Sequence, residues 1–114
     1  MIQNINQDKS YRLIVGTSEG TFFFCPEEII RLEASSNYTL IYFTNRAKII
    51  TAKVLKTFEP KLEPMGFVRT SRTHLVNRNY ISYVSPDGKV KMIDDSMAEI
   101  SRRMRTKVMR VLRA

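Results

Sequence analysis

The stretch Phe67-Val-Arg-Thr-Ser-Arg-Thr-His-Leu-Val-Asn77 has apolar residues at both ends and a polar, positively charged middle. Read with a period of two, neither face is cleanly apolar until Leu75 and Val76, so the middle cannot be a core strand. The pattern therefore predicts a strand, a polar turn that carries arginine, and a second strand. No carboxylate occurs between Glu63 and Asp87. A turn of hydroxyls and arginines without acids is suited to meet the phosphates of nucleic acid.

The charge of the chain is unevenly distributed along its 114 residues, a length that suits one domain and excludes a second independent core. Residues 1–33 hold five acids and three bases, a balance of −2, whereas residues 34–114 hold six acids and sixteen bases, a balance of +10. We expect a surface that faces a polyanion to come from the last two thirds of the chain. A basic and merely well-solvated surface is the alternative.

The sequence predicts a cytoplasmic location and no membrane partner. No apolar run approaches the roughly 20 residues of a membrane helix, and residues 1–9 lack the charged and apolar regions of a signal peptide. The single cysteine, Cys25, cannot form an internal disulfide and fits a reducing compartment. We expect a polar lead over residues 1–10 and a single domain over residues 11–114.

Runs of β-branched and aromatic residues between turn signals predict eight or nine short strands and a mainly β fold. Besides the two strands of the 67–77 stretch, these runs cover residues 11–15, 21–25, 30–34, 39–43, 48–51, 80–84 and 89–93. Between residues 54 and 62 the apolar period becomes helical, with Pro60 inside the pattern and Pro64 after it, which predicts a short or kinked helix. Three helices of a helix-turn-helix variant do not fit this pattern.

The C-terminal segment, residues 96–114, predicts a second helix. Ser96 and Glu99 have the spacing of a capping box, which predicts that the helix begins at Ser96. A single apolar stripe comprises Met97, Ile100, Met104, Val108 and Leu112. After Glu99 there is no acid, and the other positions carry Arg102, Arg103, Arg105, Lys107, Arg110 and Arg113. Like charges repel on a helix surface unless an anion is present, although a solvated amphipathic tail is the alternative.

Catalysis and metal binding have no candidate residues in the sequence. His74 is the only histidine and Cys25 the only cysteine, so a zinc site or a nucleophile and base pair would need both. No phosphate-binding glycine loop occurs. We therefore expect no enzyme activity, cofactor, metal or small-molecule substrate.

The order of several segments resembles the LytTR DNA-binding domain family of LytR/AlgR-type transcription regulators. The resemblance spans residues 11–112 and rests on residues 30–41, a lysine-bearing short helix, residues 67–77, Ile81 and residues 100–102. It implies a mainly β fold of three small antiparallel sheets with two or three short helices, including a C-terminal one. It also implies a bacterial regulator that reads tandem duplex DNA sites through loops, with a possible homodimer on those sites.

The resemblance implies three reading points. The first is a loop in one major groove, the second a turn at the intervening minor groove, and the third the start of the last helix in the next major groove. In this sequence they fall on Asn37 and Tyr38, on Ser71, Arg72 and Thr73, and on Ser101 and Arg102. Base reading is assigned to Tyr38, Arg72 and Arg102. Contacts with the DNA backbone are assigned to Asn37, Lys53, Lys56, Ser71, Thr73, Ser101, Arg103 and Arg105.

Side-chain chemistry supports the base-reading assignments independently. Arg102 can pair two N–H groups with O6 and N7 of guanine. Arg72 suits a narrow minor groove, whose negative potential attracts guanidinium. Tyr38 can pack on a thymine methyl group or bind a phosphate, although a tyrosine folded onto the sheet is the alternative.

The sequence departs from the family pattern within the 67–77 stretch. Family members usually carry histidine where Ser71 stands, serine where Thr73 stands and an aromatic residue where His74 stands, so the preferred DNA site is expected to differ. Many members carry a receiver domain ahead of this domain. Ten residues are too few to encode one, so we expect a response-regulator-like chain without a receiver.

The sequence is also consistent with two other functions. A basic β module can bind single-stranded RNA by stacking bases on tyrosines, here Tyr38, Tyr42, Tyr80 and Tyr83. Alternation places Tyr80 out of phase with Tyr83, which weakens a continuous platform. The apolar stripe of the C-terminal segment, with its methionines, is suited to a protein-interaction adaptor.

Overall fold

A computed structural model describes residues 11–114, which fold into ten strands and two α-helices. The strands are β1 (Leu13–Thr17), β2 (Gly20–Phe24), β3 (Ile29–Ser35), β4 (Tyr38–Phe43), β5 (Ile49–Thr51), β6 (Phe67–Arg69), β7 (His74–Asn77), β8 (Ile81–Val84), β9 (Lys89–Met92) and β10 (Met97–Glu99). The helices are α1 (Leu55–Leu62) and α2 (Arg105–Arg113). Short 3-10 helices span Pro26–Glu28, Glu63–Met65, Arg78–Tyr80 and Arg102–Met104.

Three antiparallel sheets confirm the predicted fold class. The central sheet has five strands in the order β5-β4-β3-β7-β6, a second sheet has the order β10-β9-β8, and β1 pairs with β2. The strand-turn-strand prediction for the 67–77 stretch is confirmed, since β6 and β7 pair with Val68 opposite Val76. The polar lead predicted for residues 1–10 lies outside the described residues.

Two hydrophobic cores lie on opposite faces of the central sheet. Alternation along β7 sends Leu75 into the core beneath the β1–β2 hairpin and α1, and Val76 into the core beneath β8–β10 and α2. A bulge between Ile29 and Arg31 places Ile30 in the second core. The central sheet is therefore covered on both faces, and its strand ends carry the loops.

The helix predicted between residues 54 and 62 is confirmed as α1. Leu55, Phe58 and Leu62 are buried along one side, which accounts for the helical period of the apolar residues. Pro60 lies inside the helix, and the chain continues as the 3-10 helix that contains Pro64. Gly66 then takes a left-handed conformation with φ of 95°, which returns the chain to the sheet as β6.

The prediction that the second helix begins at Ser96 is wrong, because residues 97–99 form strand β10 and α2 begins at Arg105. Ala98 and Ile100 are buried while Met97 is exposed, so this part of the stripe also fits a period of two. Pairing of β10 with β9 decides between the two periods. Ser96 does not cap a helix, since its amide and hydroxyl both donate to Asp94 Oδ1 in a turn.

Candidate nucleic-acid interface

The first two predicted reading points lie at the same end of the central sheet. β3 and β7 are antiparallel, with Glu33 opposite His74, so the end of β3 and the turn before β7 meet there. The β3–β4 tip is tight, because Ser36 takes a left-handed conformation with φ of 56°. This tip leaves Asn37 exposed and the Tyr38 side chain 51% exposed, not folded onto the sheet.

Two backbone hydrogen bonds connect the turn of the second reading point to the segments that carry the other two. The amide of Ala34, at the end of β3, donates to the carbonyl of Thr73 at 2.8 Å. The amide of Ser101 donates to the carbonyl of Thr70, also at 2.8 Å. The turn at residues 70–73 is therefore the centre of the site, with the β3–β4 tip on one side and the 3-10 helix after Ser101 on the other.

The turn itself is held by a buried serine. Ser71 is 4% exposed, and its Oγ accepts hydrogen bonds from the amides of Thr73 and His74, each at 3.1 Å. This geometry is a serine turn, in which the side chain takes the role of a backbone acceptor. Arg72 is exposed at the tip and Thr73 is half-buried. Contacts of Ser71 and Thr73 with the DNA backbone stay predictions.

The first arginine of the 67–77 stretch, Arg69, points inward. Arg69 donates to the carbonyls of Ser71 and Arg72 and forms an ion pair with Glu59 of α1, with Nη1 2.7 Å from Oε1. The sequence suggested an arginine turn but did not separate the roles of its two arginines. Only Arg72 remains available to an anion.

An open groove of about 620 Å³ lies between the turn and the C-terminal segment. The residues that line it are Ser71, Arg72, Thr73, Glu99, Ser101, Arg103, Met104 and Lys107. Three cations and several hydroxyls against one carboxylate favour an anionic occupant. Lys107 was not among the predicted site residues. Its spacing of four residues from Arg103 placed it on the same helical side and was the available signal.

Arg105 lies apart from this groove. Its Nη2 donates to the carbonyl of Asp87 at 2.8 Å, and its guanidinium covers Gly88 in the turn between β8 and β9. Hydrogen bonding from the Ser85 hydroxyl, helped by the charges of Lys89 and Arg105, lowers the pKa of Asp87 from its ordinary value. The structure therefore gives Arg105 a partner within the domain, and its contact with the DNA backbone stays a prediction.

The two predicted lysine contacts lie after β5 and on α1. The carbonyl of Lys53 accepts a hydrogen bond from Thr39 Oγ1 at 2.6 Å, which fixes the segment after β5 beside the first residues of β4. Lys56 is exposed in the first turn of α1, the helix whose Glu59 binds Arg69. The contacts of both lysines with the DNA backbone stay predictions.

His74 lies directly behind the turn and is 6% exposed. Its Nε2 is 3.9 Å from Glu33 Oε1 and its Nδ1 is 3.9 Å from Glu99 Oε2. Desolvation outweighs the attraction of the Glu99 and Glu33 carboxylates, so the pKa of His74 is lowered from 6.5, and the nearby charge of Arg31 lowers it further. The imidazole is therefore neutral at neutral pH.

The family model of the LytTr DNA-binding domain matches residues 19–113. The chain belongs to the LytTr DNA-binding domain family. The domain is therefore a DNA-binding regulator, and its family is one of DNA-binding domains, not of enzymes. The resemblance on which the site was predicted is confirmed.

A solved LytTr structure shares the fold. It is the LytTr DNA-binding domain of a Bacillus cereus protein described as a methyl-accepting/DNA response regulator, with a TM-score of 0.77 and 21% sequence identity. The similarity covers 90% of this chain and 96% of that one. No curated protein matches the sequence of this chain.

The four tyrosines of the RNA-stacking alternative do not form one platform in this LytTr domain. Arg31 lies over the Tyr42 ring, 4.0 Å from its centroid, and the Tyr80 hydroxyl donates to the carbonyl of Glu27. Tyr38 and Tyr83 are exposed but belong to different sheets.

The apolar stripe of the adaptor alternative is used inside the LytTr domain. Ile100 and Val108 are buried in the second core, and Met104 and Leu112 pack against it.

Within residues 11–114, no cluster of histidine, cysteine or acidic residues can hold a metal ion. No helix of the described part is long and apolar enough to cross a bilayer.

Proposed function

We propose that this LytTr domain is a sequence-specific regulator of transcription that binds duplex DNA through three connected reading points. The observation that carries the proposal is the pair of backbone hydrogen bonds from Ala34 to Thr73 and from Ser101 to Thr70. They connect the turn to the strand that leads into the β3–β4 tip and to the residue before the last 3-10 helix. The three elements would then meet successive grooves of one duplex as a single body. The turn would take the minor groove between two major grooves.

The charge of this surface supports a polyanionic partner. Arg72, Arg102, Arg103 and Lys107 are exposed, and the ion pairs formed within residues 11–114 include none of them. Each cation that neutralises a phosphate releases a condensed counterion and adds to the affinity for DNA of any sequence. The exposed cations of Lys53 and Lys56 extend the same surface.

Base reading is assigned to three side chains. Arg102 lies at the first position of the 3-10 helix after Ser101, where its guanidinium can reach O6 and N7 of guanine in a major groove. Arg72, at the tip of the turn, suits the negative potential of a narrow minor groove. Tyr38, exposed at the β3–β4 tip, can contact a thymine methyl group or a phosphate.

We further propose that two copies occupy tandem sites in the cytoplasm of a bacterial cell. Duplexes with one or two copies of a selected site, studied by sedimentation, measure this directly. Two domains on the two-site duplex support the arrangement, and a single bound domain contradicts it.

A mobility-shift titration over graded salt tests the DNA-binding proposal. Log affinity for a selected duplex is expected to fall linearly with log salt, by about 0.9 for each phosphate contact. Affinity that does not fall as salt rises would contradict phosphate anchoring. Tighter binding to single-stranded RNA than to duplex DNA would favour the stacking alternative.

Two substitutions separate base reading from phosphate anchoring. Arg102→Ala is expected to relax sequence choice at one base pair by about 1–3 kcal/mol, whereas Lys56→Ala should weaken all duplexes alike. Arg113→Ala, at the far end of α2, is the control and should change neither. Equal effects of Arg102→Ala on all duplexes would remove Arg102 from base reading.

A further inference from the structure

Arg69 is the least solvent-exposed cation at the turn, with 18% of its side chain accessible, and all three of its guanidinium nitrogens have partners. Nε donates to the Ser71 carbonyl at 2.7 Å and Nη2 donates to the Arg72 carbonyl at 2.9 Å. Nη1 donates to Glu59 Oε1 at 2.7 Å. Arg69 is therefore unavailable to DNA, and its contacts must act on the protein.

The two carbonyls that Arg69 binds belong to the two peptide groups on either side of the Arg72 α-carbon. Peptide groups are planar, so holding both of them fixes the backbone of Arg72 and the direction in which its side chain leaves the chain. The planar fork of a guanidinium can bind two adjacent carbonyls at once, which the point charge of a lysine cannot reproduce. Glu59 neutralises the charge that this half-buried position would otherwise leave unpaired.

We propose that Arg69 is a positioning residue that sets the direction of Arg72 toward DNA, and that Glu59 holds Arg69 in place from α1. The pair also couples the turn to Lys56, because Lys56 and Glu59 lie three residues apart on the same helix. The minor-groove contact of Arg72 and the phosphate contact of Lys56 are then kept at a fixed distance. The expected effect of Arg69 on DNA binding rests on the proposed function. Its expected effect on the conformation of the turn does not.

Amide hydrogen exchange tests the effect on the turn without DNA. Arg69→Lys keeps the charge and loses the fork, so exchange at Thr73 and His74, whose amides bind Ser71 Oγ, should accelerate about tenfold. Glu59→Gln, which keeps an acceptor, should have a smaller effect of the same sign. Arg78→Lys is the matched control, because Arg78 is half-buried and donates to a distant carbonyl, that of Leu112.

Binding to a pool of randomised duplexes tests the effect on reading. Arg69→Lys should lower affinity for the selected duplex about tenfold and should flatten base preference only in the segment between the two major grooves. The dependence of its affinity on salt should stay as in the unmodified chain, since Arg69→Lys removes no positive charge and keeps the Arg72 guanidinium at the turn. A role confined to stability would lower affinity without changing base preference or would lower it at all positions equally.

The outcomes separate the two proposals. Faster exchange together with flattened central preference supports positioning by Arg69. Unchanged exchange at Thr73 and His74, or central preference equal to that of Arg78→Lys, overturns it. Failure of the unmodified chain to prefer duplex DNA overturns the proposed function, and faster exchange in Arg69→Lys would still show that Arg69 fixes the turn.

Discussion

Two hairpin turns of this domain are each held by an arginine, yet only one of them presents a free positive charge. Arg69 binds the turn at residues 70–73, and Arg105 binds the turn at residues 85–88 through the carbonyl of Asp87. The 85–88 turn contains its own carboxylate, whose pKa the Ser85 hydroxyl and the charge of Arg105 help to lower. The 70–73 turn contains none, and the acid that pairs with Arg69 comes from α1.

The comparison shows that the position of one carboxylate decides what a turn can bind. At 85–88 the anion is internal, so the turn is satisfied by its own residues and Arg105. At 70–73 the positioning arginine is neutralised from behind by Glu59, and the exposed Arg72 has no acidic partner among residues 11–114. The 85–88 turn is thus structural, and the 70–73 turn is open to an external phosphate or base edge.

Ser71→Ala is expected to have the largest effect on stability. The amides of Thr73 and His74 lose the Oγ that accepts them, and each such loss at a buried site costs about 1–3 kcal/mol. Urea unfolding measures the free energy of unfolding. Thr73→Ala is the control, since the Thr73 side chain has no hydrogen-bond partner among the described residues. Equal stability of the two variants would contradict the role of Ser71 in the turn.

Gly88→Ala should disturb the other turn by less. Gly88 has φ of +88°, and an added Cβ would lie 2.5 Å from Arg105 Nη2. The arginine can move aside only by losing its hydrogen bond to the Asp87 carbonyl, and the backbone strain adds about 1–2 kcal/mol. Thermal unfolding checks the loss, with Gly16→Ala as control because open space surrounds Gly16. Base preference should not change, and a changed preference would show that the 85–88 turn also reads DNA.

Arg72→Ala and Arg105→Ala should separate the two turns in DNA binding. The first removes a cation that neutralises the negative potential of the minor groove, so it should reduce the slope of log affinity against log salt by about 0.9, the value for one neutralised phosphate. The second should reduce stability, because it removes the hydrogen bond to the Asp87 carbonyl, and should reduce the slope by less than Arg72→Ala, because that hydrogen bond holds the Arg105 guanidinium within the domain. Mobility shifts at several salt concentrations provide the slopes. If Arg105→Ala reduced the slope more than Arg72→Ala did, the 85–88 turn and not the 70–73 turn would be the one that contacts DNA.

The smallest effects are expected in the pH dependence of the free energy of unfolding. The pH at which stability is lost should differ between His74, behind the 70–73 turn, and Asp87, in the 85–88 turn. Since the pKa of His74 is lowered from 6.5, the unfolded chain binds this proton more readily, and stability falls as the pH drops below 6.5 toward the lowered pKa. His74→Phe should remove that loss. The stabilisation from the lowered pKa of Asp87 is fully present above its ordinary value of 3.8 and is lost only below that pH, so Asp87→Asn should leave the pH dependence of stability near pH 6 unchanged. If the free energy of unfolding of His74→Phe still falls as the pH drops below 6.5, the loss of stability does not come from His74.

The sequence predicted the elements whose signals are local. Alternation around Leu75 and the acid-free turn predicted strand, turn and strand, and helical spacing with Pro60 predicted α1. The order of motifs predicted the family and the exposed tip at Tyr38. The strand, turn and helix signals each lie within a short run of neighbouring residues, and the family signal is the order of such runs along the chain.

The missed features depend on contacts between distant residues. Met97 and Ile100 fit a helical stripe, but pairing with β9 made this part of the stripe a strand. Arg69 and Arg72 look alike in sequence, and Glu59, on a different element, distinguishes them. Arg105 continues a basic run, whereas its partner Asp87 lies 18 residues away in the chain.

Amide chemical shifts of the domain during titration with a selected duplex test the three-point reading of DNA most directly. We predict saturable shifts at residues 36–38, 70–73 and 101–103, and little change at residues 85–88. Shifts concentrated around Tyr83 and the 85–88 turn, with the 70–73 amides unchanged, would contradict that reading.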